Sequence, residues 1–113
     1  MGLGLNVHTV RATELRATIR SSHEADSFYG GDLDALLEDK LDECHPAFIE
    51  SLLAEGIRTP VLVCNGRLVD GHHRLAVALD RDLDVPYAVI TGRVPVGYYA
   101  TETIWSDGNA AYR

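Results

Sequence analysis

The chain is poor in cysteine, in cations and in long apolar runs, and each shortage closes off a class of protein. Two cysteines, Cys44 and Cys64, are no disulfide framework. Cys64 sits in an apolar stretch and reads as a small core residue. Cys44 follows Asp42 and Glu43, whose charges raise a thiol's pKa instead of activating it. Reduced cysteines suit a cytoplasmic protein. Lys and Arg number 10 against 17 Asp and Glu, a net charge of −7. That balance disfavours broad DNA binding, which needs a basic surface to displace counterions. No apolar run approaches the roughly 20 residues of a membrane-spanning helix, so no membrane partner is expected. The N-terminal residues lack a basic stretch followed by an apolar core, so no secretory signal is expected either. Asn6 stands where N-myristoylation wants Ser or Thr.

What is present suits one compact α+β domain over residues 1–113, with 91–113 as a C-terminal extension. Residues 7–12 read as an edge strand, followed by a turn at Thr13-Glu14. Residues 20–31 are polar, end in Gly30-Gly31 and read as a loop. Asp32 is placed to cap a helix running to about residue 43, with Leu33, Leu36, Leu37 and Leu41 on one face and acids on the other. Pro46 suits the first position of a second helix, with an apolar stripe of Phe48, Ile49, Leu52 and Leu53 ending at Gly56. The unbroken apolar run Val61–Val63 predicts a strand buried on both faces, hence central in its sheet. Asn65-Gly66 predicts a tight hairpin into a return strand, Arg67 to Val69. A third helix over about residues 71–80 packs Leu75, Ala78 and Leu79 inward, and residues 85–90 form another strand. Beyond it, Val94, Val96, Tyr98 and Ala100 alternate. The aromatic tail with Tyr98, Tyr99, Trp105 and Tyr112 either packs over the core or offers a surface to a partner or a second copy.

The third helix opens on Asp70-Gly71-His72-His73-Arg74. Helix N-termini carry partial positive charge and favour acids. Placing two imidazoles and a guanidinium there is unfavourable unless an anion joins them, and a phosphate would serve. Gly71 permits a tight bend and close approach of a phosphate. Arg74 can donate to that phosphate or pair with Asp70. On this reading Gly71, His72, His73 and Arg74 bind phosphate. Candidate catalytic residues are His72, as general base, and Asp70, which caps the helix, orients His or Arg, or holds a metal through water. Neighbours about 100° apart on a helix, His72 and His73 do not both face one ligand squarely, and the helix terminus lowers both their pKa values. No His-x-x-x-His or Cys-x-x-Cys spacing marks a protein-built metal site. Mg²⁺ riding on a nucleotide needs only one or two carboxylates, for which Asp70, Glu24 and Asp26 are candidates. Arg16 and Arg20 either add positive charge to a pocket or lie on the surface.

These residues carry a family resemblance. Gly56-Ile57-Arg58-Thr59-Pro60-Val61, then Val69-Asp70-Gly71-His72-His73-Arg74, then Val85-Pro86 follow the order helix, strand, hairpin, Gly-containing turn opening a helix, strand. The stretch from Phe48 to Ile90 thereby resembles the ParB/sulfiredoxin superfamily. Short single-domain members, labelled ParB-like nuclease domains, are common in actinobacteria and their phages. The resemblance implies a small mixed β-sheet flanked by about three helices, in the host cytoplasm if the protein is phage-encoded. It also implies a nucleotide triphosphate, CTP or ATP with Mg²⁺, at the turn. ParB proper binds and hydrolyses CTP there, sulfiredoxin binds ATP with a Gly-Cys-His-Arg turn, and free-serine kinases of the fold carry an Asp-Gly-His start. His72 aligns with the sulfiredoxin cysteine, so sulfinic acid reduction is not expected. The chain has no room for the helix-turn-helix and dimerisation regions of ParB proper.

The expected function is therefore nucleotide or phosphate binding, with NTP hydrolysis or phosphoryl transfer as its catalytic form. A ParB-like nuclease acting on DNA through a metal is an alternative that the net charge disfavours. A non-catalytic interaction or regulatory module, forming a homodimer through the aromatic tail, is another. Arg74→Ala is expected to abolish nucleotide binding and spare the fold.

Overall fold

A computed structural model describes residues 6–90. The readings placed on 91–113, a strand through residues 94–100 and the aromatic tail, lie outside the described residues. The fold is α+β. Five strands run β1 (Val7–Arg11), β2 (Ser21–Ser22), β3 (Val61–Cys64), β4 (Arg67–Asp70) and β5 (Asp84–Ile90). Among the described residues five helices are interspersed: α1 (Ala12–Thr18), α2 (His23–Phe28), α3 (Leu33–Glu43), α4 (Pro46–Glu55) and α5 (His72–Arg81). The strands form one mixed sheet in the order β1-β5-β3-β4-β2.

The centre of the sheet follows from the sequence. All four residues of β3 are buried, and β3 lies between β5, parallel to it, and β4, antiparallel. Asn65 and Gly66 both take positive φ, 53° and 76°, as the two central residues of a type I′ hairpin turn must. β1 pairs antiparallel with β5 at the sheet's edge. Among the described residues no helix is long and apolar enough to cross a membrane.

Two helices form where their caps predict. The Asp32 carboxylate accepts from the Ala35 amide at 3.0 Å and opens α3. Its apolar face buries Leu33, Leu36 and Leu37. Pro46 begins α4, whose N-cap His45 accepts from the Ala47 amide through Nδ1 at 3.0 Å. Phe48 and Leu52 of α4 pack with Val77 of α5, while Leu53 stays exposed, so the stripe is narrower than expected.

Two further helices correct the expected count of about three. The turn placed at Thr13-Glu14 is α1, because Ala12, Leu15 and Ile19 recur at helical spacing and are buried in the main core. The segment 20–31, read as a loop, contains β2 and α2. Its serines are structural: Ser22 caps α2 through the Ala25 amide at 3.0 Å, and Ser21 and Ser22 pair in parallel with Arg67 and Leu68 of β4. Polar composition hid both elements, since a two-residue strand and a six-residue helix leave little periodicity.

A β-bulge bears on the site. Cys64 pairs with Arg67 and Val63 with Leu68, but Leu62 pairs with Asp70, so β4 holds one residue more than β3 over this stretch. Such an insertion bends and twists its strand. Here it falls at Val69, immediately before the turn into α5.

Candidate functional site

Gly71 is the N-cap of α5 and adopts φ 97° and ψ 23°, a left-handed conformation that glycine takes without steric cost. Space demands glycine as well. A Cβ here would stand 3.0 Å from Val61 Cγ2 and 3.1 Å from Val61 Cα. The helix is therefore packed directly on the central strand at its first turn. The N-cap position that sequence gave to Asp70 belongs to Gly71; Asp70 is the last residue of β4, one place earlier. Gly71 offers no capping side chain, and the first turn of α5 holds no acidic residue. In this α5 differs from α2, α3 and α4, each capped by a side chain.

Arg74 turns inward. It is 1% exposed and has the largest side chain among the fully buried described residues. Its Nη2 lies 3.9 Å from Asp70 Oδ1, and Asp70 is itself buried. The guanidinium also borders Gly71, where the added Cβ would stand 3.4 Å from Nη2. Arg74 is thus a core residue beneath the turn. The expectation that Arg74→Ala would spare the fold is corrected by this burial, since the substitution would empty a core position beneath the turn.

The two histidines sit at the surface of contact between α5 and α3, and α2 lies close by. His73 Nε2 lies 3.0 Å from Glu43 Oε1. A carboxylate oxygen accepts, so Nε2 carries the proton of the neutral ring. Lys40 of α3 is largely buried and bridges Glu24 of α2, at 3.0 Å, and Glu43, at 3.7 Å. His72 points its Nε2 into a buried position without a hydrogen-bond partner among the described residues. Burial pushes the His72 pKa down to about 4; Lys40, His73 and Arg74 push the same way and Glu24 opposes them. Burial also lowers the His73 pKa, against the hydrogen bond to Glu43. The predicted direction holds for both rings, but burial is its main cause. Two neutral imidazoles remove most of the charge conflict at the start of α5.

The remaining candidates lie apart from this turn or are engaged. Asp26 accepts from Arg67 and from the Ser21 hydroxyl, which hold its carboxyl below the usual range. Glu24 is held by Lys40. Arg16 donates to Asp34 at 2.8 Å and to the Ile19 carbonyl at 2.9 Å, and Arg20 donates to the Asn65 carbonyl. Both arginines stitch surface elements together. Cys44 is half-buried, and burial, aided by Glu43, pushes its thiol up to about 11. Among the described residues no three His, Cys, Asp or Glu side chains are grouped to hold a metal ion.

Sequence reasoning missed the role of Lys40 and Glu43. The acids of α3 read as a solvated face, and most of them are exposed. The available signal was Lys40 itself, a single cation on that helix, one turn before Glu43. No protein-family model matches the chain, and no curated protein or solved structure matches it.

Proposed function

We propose that the chain is a nucleotide- or phosphate-binding domain of ParB/sulfiredoxin type, with the anion at the backbone amides of Gly71, His72 and His73. The observation that carries this reading is the opening of α5. A ten-residue helix presents its positive end with a glycine N-cap and no acid in its first turn. The order α4, β3, hairpin, Gly71 turn, α5, β5 is the order that the resemblance requires, which supports the family reading.

In this reading neutral His72 is the hydrogen-bonding ring beside the anion, while His73, its ring held by Glu43, contributes its backbone amide. Arg74 acts from below, its positive charge set under the turn and held by Asp70. Binding is favoured over catalysis by His72. A general base works best with a pKa near the working pH, and burial holds this one near 4. NTP hydrolysis or phosphoryl transfer by His72 and Asp70 is the secondary form of the proposal. Mg²⁺ would arrive on the phosphates of CTP or ATP, because Glu24 and Asp26 are committed to Lys40 and Arg67. The net charge of −7 favours a small anion over DNA, and a cytoplasmic setting supplies the nucleotides.

The test is an NMR titration of the full chain with inorganic phosphate, CTP, ATP and GTP, the nucleotides with Mg²⁺. Saturable shifts centred on the amides of residues 71–73, with a rise in Tm, are expected. Absence of both with every ligand at millimolar concentration overturns the proposal.

A further inference from the structure

α2 is held differently from the helices around it. Ala25 is its only buried residue, and Phe28, its largest side chain, is 78% exposed. By contrast α3 buries Leu33, Leu36 and Leu37, and α5 buries the whole run from Arg74 to Ala78. With so little apolar contact, α2 depends on polar ties. Glu24 holds Lys40 of α3 at 3.0 Å, and Asp26 accepts from Arg67 of β4. Just beyond the helix, Tyr29 donates to Asp39 of α3 at 2.6 Å. In each of these ties a carboxylate is the acceptor, and the side chains of Glu24, Asp26 and Arg67 stay between 36% and 41% exposed. Ion pairs so open to solvent stabilise weakly. A segment with few buried apolar contacts opens locally at a lower free energy than global unfolding requires.

The chain on either side of α2 is fixed. Ser22 is fully buried and pairs with Leu68 of β4, and Asp32 caps α3. Between α2 and Asp32 stand Gly30 and Gly31, with φ of 61° and 86°. Glycine changes between left- and right-handed backbone at little cost. A Cβ at Gly30 would meet nothing within 4 Å, so no packing restrains that position. His72 lies beside the lower-stability segment. Its Nε2 is buried without a hydrogen-bond partner among the described residues, and both members of the Glu24–Lys40 pair are among the charges that act on its ring. We infer that α2 is a lid, hinged at Ser22 and at Gly30-Gly31, whose opening parts the Glu24 and Asp26 ion pairs and bares the Nε2 edge of His72. Opening lets that nitrogen form the hydrogen bond it lacks among the described residues, and it clears the first turn of α5.

Native-state hydrogen exchange of the full chain, followed residue by residue by NMR, tests the lid. The Ala25 amide donates to Ser22 Oγ, and the Tyr29 and Gly31 amides donate to the Ala25 carbonyl. These three should share one protection factor, roughly a hundredfold or more below that of Leu75, whose amide donates to the Gly71 carbonyl in α5. Protection equal to that of Leu75 overturns the inference, because α2 would then open only with the whole fold. Glu24→Gln/Asp26→Asn should speed exchange at the three amides by roughly tenfold, the combined effect of losing two weak pairs. The gap to Leu75 should persist in this variant, and its closure also overturns the inference. Access to His72 has its own readout, the rate of its carbethoxylation by diethyl pyrocarbonate, read by tandem mass spectrometry. That rate should rise in the variant by the same factor as the exchange of α2. Faster exchange with an unchanged rate at His72 would show that α2 opens without covering the ring, and it overturns the inference too. None of these readouts depends on whether α5 binds phosphate.

Discussion

Arg74 and Asp70 stand four residues apart across the strand-to-helix turn, with Nη2 and Oδ1 at 3.9 Å, and their side chains are only 2% and 4% exposed. Removing one partner of a buried pair typically costs about 3–5 kcal/mol, because the other charge is left in the interior. Arg74→Ala and Asp70→Ala should each cost about this much in urea unfolding. Arg74→Met/Asp70→Leu, which removes both charges and keeps volume, should cost less than either single change. If the double variant is the least stable of the three, the pair is not the unit of stabilisation.

Gly71 makes a separable prediction. Left-handed backbone costs an ordinary residue about 1–2 kcal/mol. At Gly71 a Cβ would also press on Val61, whereas at Gly30, with φ +61°, it would meet nothing within 4 Å. Gly71→Ala should therefore destabilise more than Gly30→Ala, and the difference measures the contact between α5 and β3. Equal losses in denaturant would mean that this contact relaxes freely.

Acid should weaken the fold through His72. Its folded pKa lies near 4 against 6.5 for the free side chain, so between these values the unfolded chain binds the extra proton. Stability from this group is therefore complete above pH 6.5 and falls as pH drops toward 4. The shift corresponds to roughly 3 kcal/mol at the lower limit. Unfolding free energies measured at pH 7 and pH 4.5 should fall further apart in the native chain than in His72→Gln. The same loss in both would assign the acid sensitivity to other groups.

How much of this was legible varies with the range of the interaction. α3, α4, β3 and the hairpin are written locally, in Asp32, Pro46, the run from Val61 to Cys64 and Asn65-Gly66. The turn at Gly71 was legible for the same reason: strand and helix meet there and only glycine fits. β2 was not, because Ser21 and Ser22 become a strand only through β4, far along the chain. The bulge at Val69 leaves no residue signature. The burial of Arg74 was hidden too, since an arginine in a helix's first turn reads equally well as a surface donor. What surrounds His72 and His73 comes from α2 and α3, and no pattern near residue 72 announces Glu24, Lys40 or Glu43.

That inter-helix cluster yields a prediction with opposite signs. Lys40 is a cation near both imidazoles and disfavours their protonation; Glu24 favours it. Lys40→Met should raise the pKa of His72 and of His73, followed through their ring resonances in an NMR titration. Glu24→Gln should lower both, because it removes the acid and frees Lys40 from its 3.0 Å partner. Glu43→Gln should lower His73 in particular, since it weakens the acceptor of the Nε2 hydrogen bond. These variants change charge and little volume, so the fold should persist and the titrations stay readable. A rise in the His72 pKa on Glu24→Gln would mean that burial by α2, and not charge, sets the state of this ring.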